Sequence, residues 1–253
     1  MSMFEIVFSP TGGTEKVSGL VTGTLDGNIV TVDLTDSGLD FHRVSMAKGD
    51  VAVISVPSYA GRVPAVAVER LGMVRGNGAR AVLVCVYGGR AFEDTLIELE
   101  DVAKRAGFGV VAAVSAIAEH SVARQFAAGR PDAQDVAQLS EFAQRIRQKL
   151  LDGAASEPSI PGNRPYKQAG GHSMVPHATE DCVSCGACAA LCPVRAIDKD
   201  DPRQVDGEAC ISCMRCVSVC SQNARKLDPN KLAAVTQMLS KACVERRECE
   251  IFI

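Results

Sequence analysis

Two stretches of the chain, CVSCGACAALCP at residues 182–193 and CISCMRCVSVCS at residues 210–221, superpose at an offset of 28 residues. Cys182 falls on Cys210, Cys185 on Cys213, Cys188 on Cys216, Cys192 on Cys220, and Ala196 on Ala224. Such a repeat reads as two copies of one small unit related by a pseudo-twofold axis. Three thiols at successive intervals of three fold a tight loop around one corner of a cubane. The fourth, which follows after three intervening residues, reaches the neighbouring centre. The spacing therefore predicts one 4Fe-4S cluster on Cys182, Cys185, Cys188 and Cys220, and a second on Cys210, Cys213, Cys216 and Cys192.

Eight of the eleven cysteines lie in these repeats. Paired zinc knuckles are disfavoured, because they separate their C-x2-C pairs by a dozen or more residues. A disulfide framework is disfavoured too. The opening residues MSMFEIVFSP carry neither a charged leader nor a long apolar region, and a cytoplasmic location is the expectation. The longest apolar stretch, residues 110–118, is too short to span a bilayer, so no membrane insertion is predicted. A net charge of -3 without a basic patch argues against nucleic acid as a partner. The small residues Gly186, Ala187, Ala189 and Ala190 let backbone amides approach the sulfurs. Residues 177–228 hold too few large apolar side chains to build a core alone, so metal binding and folding are expected to be one event there.

The first 155 residues alternate short runs rich in Val and Ile with helical patterns, the signature of a doubly wound parallel α/β sheet. Strands are predicted at residues 3–8, 28–33, 50–56, 79–86 and 107–117, and helices at 15–24, 64–73, 91–106 and 132–151. Right-handed crossovers suggest the order 2-1-3-4-5. Residues 152–176, dense in Pro, Gly and Ser, read as linker. An amphipathic helix is predicted over 230–247, and the apolar tail 250–253 is expected to dock. The predicted organisation is thus 1–155, a linker at 156–176, a cysteine domain at 177–228, and a C-terminal helix and tail at 229–253.

Directly after the first predicted strand comes Ser9-Pro10-Thr11-Gly12-Gly13-Thr14, followed at once by a helix. Hydroxyls, glycines and the free amides of a helix N-terminus make a phosphate seat. No Gly-Lys-Ser/Thr and no G-x-G-x-x-G is present at this turn, which disfavours a nucleoside-triphosphatase or dinucleotide site. The loop matches the T/S-x-T-G-x-T phosphate loop of flavodoxins at every defined position. Residues 1 to about 155 resemble a flavodoxin, and residues 177–228 resemble a small α+β two-cluster bacterial ferredoxin, with Ser221 standing where the first copy has Pro193. The whole chain is similar to the flavodoxin-ferredoxin fusions called EFR-family ferrodoxins.

The resemblance implies FMN, with its phosphate on Ser9, Thr11, Gly12, Gly13 and Thr14. Its ring is then expected between two loops at strand ends, Pro57-Ser58-Tyr59-Ala60-Gly61 and Tyr87-Gly88-Gly89-Arg90. Tyr59 and Tyr87 are placed to stack on it, the glycines to bring backbone amides near its edge, and Arg62 and Arg90 to add positive charge. His120, at the end of the fifth strand, is a proton-donor candidate. Cys85 reads as core, and Cys243 and Cys249 have no ligand role. The expected function is electron transfer between FMN, two 4Fe-4S clusters and external redox partner proteins in low-potential, anaerobic metabolism. A flavin-dependent reductase of a small molecule, fed by the clusters, is the alternative. The identities of donor and acceptor are not legible, and a homo-oligomer stays open.

Overall fold

Strands made almost wholly of Val, Ile and Ala can bury both faces, and the computed structural model uses them so. It describes residues 2–25, 28–153, 156–171 and 174–253. The first strand, β1 (Met3–Val7), leads to helix α1 (Gly13–Thr22) and strand β2 (Ile29–Asp33). Strand β3 (Val51–Pro57), helix α2 (Ala65–Met73), β4 (Arg80–Tyr87), α3 (Thr95–Arg105), β5 (Gly109–Ile117) and α4 (Ala133–Leu151) follow in alternation. The five strands are parallel in the order β2-β1-β3-β4-β5, the expected doubly wound, flavodoxin-like arrangement.

Two apolar layers sandwich this sheet. One packs Ile54, Leu83 and Phe8 against Leu71 of α2 and Leu99 of α3. The other packs Val53, Val84 and Val114 against Val17 of α1 and Leu139 and Ile146 of α4. Helix α4 starts at a reciprocal cap, with Asp132 accepting from the N–H of Asp135 and Asp135 accepting from the N–H of Asp132.

Three boundaries differ from expectation for local reasons. Helix α3 begins at Thr95, four residues later than predicted, because Glu93 takes a positive φ of 45° and turns the chain. Strand β5 begins at Gly109 because Gly107, at φ 87°, still belongs to the turn. The C-terminal helix α7 (Pro229–Ala242) stops before residue 247, and the freed tail returns to the sheet. There β8 (Glu250–Phe252) pairs antiparallel with β5 and adds a sixth strand to the five foreseen.

Between these lies a small unit with strands β6 (His177–Ala178) and β7 (Arg225–Lys226) and short helices α5 (Ala187–Ala190) and α6 (Arg215–Ser218). Its backbone repeats at the same offset as its cysteines. Ser184 and Ser212 take φ of 52° and 53°, Arg195 and Asn223 take 52° and 51°, and Gly186 and Met214 both start their helices in the left-handed region.

The connecting segment is held down along its described length. Asn163 and Lys167 donate backbone N–H groups to Asp94 at 2.8 and 2.7 Å, and Arg164 bonds Asp101 on α3. Burial works against the charge of Asp94, yet these N–H donors keep it below the usual carboxylate value. The composition expectation of a linker over 152–176 includes residues 154–155 and 172–173, which lie outside the described residues.

Candidate functional site

The loop after β1 ends in Gly12 at φ 87°, a conformation that glycine reaches without strain, and this starts α1 with its first amides unpaired inside the helix. Ser9 Oγ accepts from the N–H of Glu15 at 2.9 Å, which pins the loop to the helix. Thr11, Gly13 and Thr14 line a cavity of about 210 Å³ at the carboxyl ends of β1, β3 and β4. Pro57, Ser58, Tyr59 and Ala60 form a second wall, Tyr87 and Gly88 a third, and residues 118–122 a fourth.

The cavity thus gathers three separated sequence motifs. Ser9, Gly12, Gly61, Gly89 and Arg90 belong to the same loops without lining it. Arg90 is bound to Glu93 at 2.9 and 3.0 Å. Arg62 is committed as well, to Glu98 at 2.7 and 2.8 Å and to the Lys167 carbonyl at 2.6 Å. Both arginines, expected to add positive charge near the ring, are paired with carboxylates and stand outside the cavity lining.

Tyr87 is buried and meets Phe92 edge to face, with ring centroids 5.5 Å apart. Burial pushes its phenol up to about 12. The Tyr59 phenol is also raised, by burial and then by the charge of Cys213. Both phenols stay protonated near neutrality. His120 packs its ring on Gly88, where a Cβ would approach His120 Cδ2 to 2.4 Å. Its Nδ1 accepts from the N–H groups of Val122 and Ala123, both at 3.2 Å, so the proton of the neutral ring sits on Nε2. Burial, and then Arg90 nearby, lowers its pKa below the usual histidine value.

The remaining walls come from elsewhere in the chain. Gly170 and Gly171 of the connecting segment and Ile211 and Ser212 of the second cysteine loop complete the cavity. The small unit rests on this edge of the sheet through three arginines. Arg70 donates to the Pro193 carbonyl at 2.5 Å, Arg195 to the Ser37 carbonyl at 2.6 Å, and Arg215 to the Ser9 carbonyl at 3.3 Å.

Within that unit Cys192, Cys210, Cys213 and Cys216 line one small apolar cavity of about 20 Å³. These are the four thiols that the spacing assigns to one centre. Burial pushes Cys213 up to about 11 and Cys216 up to about 12, with neighbouring thiols adding to it. Such thiols ionise only against a cation. The symmetry-related four are more open: Cys188 is buried, Cys182 and Cys220 are half-buried, and Cys185 is exposed. Matching backbone amides reach the fourth thiol of each copy, Ala196 N–H to Cys192 Sγ and Ala224 N–H to Cys220 Sγ, both at 3.3 Å. Among the described residues no three His, Cys, Asp or Glu side chains are grouped as a single metal ion requires. Cys85 and Cys249 are buried away from this unit.

Both candidate sites fit the groups their motifs imply. The first offers helix amides and hydroxyls at one end and aromatic and glycine walls at the other. The second offers a thiol octet, together with buried polar atoms that lack a partner among the described residues, on Ser212, Arg215 and Arg225.

Residues 156–237 match the family model for a 4Fe-4S dicluster domain. The chain therefore carries an iron-sulfur redox module behind a flavodoxin-like sheet. No curated protein matches it. Solved structures similar to it include a flavodoxin from Streptococcus pneumoniae TIGR4, at 20% identity over 58% of this chain and 99% of that one, with a TM-score of 0.40. Flavodoxin 2 from Bacillus cereus gives 15% identity over 59% and 99%, with a TM-score of 0.44. A Fusobacterium nucleatum flavodoxin bound to flavin mononucleotide gives 14% over 58% and 96%, with a TM-score of 0.38. No helix among the described residues is long and apolar enough to cross a membrane.

Proposed function

We propose that the chain is an electron carrier in which an FMN site and two 4Fe-4S sites are joined into one relay serving external redox proteins. The observation that carries this reading is the shared wall of the cavity. Ile211 and Ser212, which lie between Cys210 and Cys213, line it together with Thr11, Gly13 and Thr14 of the phosphate-type loop. Bound FMN supplies two-electron capacity released one electron at a time, and each cluster supplies a single-electron couple.

The chain's own residues set the rest. The amides opening α1 and the hydroxyls of Thr11 and Thr14 hold the phosphate end. Gly88 and the neutral Nε2–H of His120 face the opposite end, where His120 holds a proton available for donation. Cys210, Cys213, Cys216 and Cys192 hold the cluster adjoining the cavity, and Cys182, Cys185, Cys188 and Cys220 the one beyond. Tyr59, near enough to Cys213 to feel its charge, stands between the cavity and the adjoining cysteine loop.

Oxygen-free protein, analysed for flavin, iron and acid-labile sulfide, is expected to contain one FMN and about eight irons per chain. Zinc alone, with no flavin, overturns the proposal. Steady turnover of one small compound with a reduced ferredoxin as donor would instead identify a reductase.

A further inference from the structure

The two cysteine copies share their left-handed positions and their amide-to-sulfur bonds, which makes their mismatch at one buried position informative. Ile197 of the first copy is apolar, 6% exposed, and packs with Cys188, Cys192 and Ala196. Its counterpart, 28 residues on, is Arg225, 2% exposed. Arg225 sits on β7, beside Ala224, whose N–H reaches Cys220 Sγ. Its Nη2 donates to the Pro202 carbonyl and points at Cys188 Sγ from 3.5 Å. Its Nε and Nη1 are buried without a hydrogen-bond partner among the described residues. Its charge also reaches Cys210 and Cys216, thiols of the other cluster, but through space and, among the described residues, with no hydrogen bond to either.

A buried guanidinium with one carbonyl and no carboxylate is costly by several kcal/mol unless an anion faces it. Among the described residues no ion pair joins Arg225 to a carboxylate, and the nearest anion-forming group it contacts is the Cys188 sulfur. Resting on the cluster assignment proposed above, we propose that Arg225 is a potential-setting residue. It donates to the sulfurs of the cluster held by Cys182, Cys185, Cys188 and Cys220, and so makes the two clusters unequal. An oxidised 4Fe-4S cluster with four thiolates is a dianion. One electron from a reductant such as dithionite makes it a trianion, with no bond formed or broken. A buried cation stabilises the trianion more than the dianion, so it raises the midpoint potential of the cluster it touches. The apolar Ile197 offers the other cluster no such donor, so the two differ by the direct hydrogen bond to sulfur.

The test is an anaerobic titration of the full-length protein followed by electron paramagnetic resonance, with iron and sulfide counted in every sample. Wild type is expected to give two separated midpoints. Arg225→Ile, which copies the first repeat, is expected to lower the higher one and narrow the gap by at least tenfold in the one-electron equilibrium, about 59 mV. Arg225→Lys, which keeps the charge and loses the planar donor set, should fall between. Unchanged midpoints in a fully loaded Arg225→Ile protein overturn the proposal. Loss of half the iron in both variants also overturns it, by showing that Arg225 serves assembly and not tuning. Absence of FMN would sink the relay while leaving this comparison intact.

Discussion

Gly88 shows how one missing side chain shapes the cavity. An added Cβ would lie 2.4 Å from His120 Cδ2 and 2.8 Å from His120 Cβ and Cγ, so the ring would have to leave its place. That ring also accepts the N–H groups of Val122 and Ala123, so the loop would move with it. Gly88→Ala is expected to cost about 1–3 kcal/mol of stability, the range for overpacking, and to weaken FMN binding; denaturant unfolding and flavin fluorescence titration measure both. Sequence reasoning found Gly88 through its place at a strand end. It could not find what the glycine makes room for, because His120 lies 32 positions away in the loop after another strand. The cysteines were legible for the opposite reason: their geometry is local, set by intervals of three. Arg225 was invisible, since an arginine in a strand of two residues reads as surface until its burial is known.

At the scale of elements, the strongest departures from the sequence reading are the connecting segment and the tail. Pro, Gly and Ser marked residues 152–176 as a linker, and those of them that the structure describes form no helix or strand. Yet Asn163, Arg164 and Lys167 find acids 63 to 74 positions back, on and just before α3. Periodicity carries no trace of such pairings. The tail is similar: three residues are too few to announce a strand, and β8 forms because β5 presents an open edge.

Its anchor is electrostatic. Arg246 donates to both oxygens of Asp132, at 2.7 and 3.1 Å, and to Asp135 at 3.2 Å. That hydrogen bond, the largest cause, holds Asp132 well below its ordinary carboxylate value. A depressed acid stabilises the fold above its unfolded pKa of about 3.9 and loses that contribution as pH falls toward the folded value. Protection of the Ile251 amide, its exchange rate taken relative to that of the unfolded chain at the same pH, is therefore expected to fall below about pH 4, and Arg246→Ala to lower it already at pH 7. Exchange unchanged by the substitution would show that apolar packing alone holds the strand.

For the whole molecule, the cavity belongs to neither unit. Its floor is built by the flavodoxin-like sheet, and part of its wall by Ile211 and Ser212. The order of the parallel strands was readable from sequence, and so was the strand-to-helix turn after β1 that lines the cavity. The wall was not, because it depends on how the units dock, through three arginines that bond main-chain carbonyls. Chelation of iron under anaerobic conditions is expected to weaken FMN affinity at least tenfold, with isothermal titration as the measurement. The small unit has little core of its own, and the Ile211–Ser212 wall should loosen with its clusters. Equal affinity with and without iron would show that the loop keeps its place unaided.

The return of β8 to β5 carries a consequence for how the chain is made. The ribosome releases the five parallel strands early, but the edge of β5 is sealed by residues 250–252, translated only after the cysteine unit. Throughout synthesis of the cysteine unit that edge stays open to other nascent chains. Cutting the gene near residue 156 would make this vulnerable intermediate permanent.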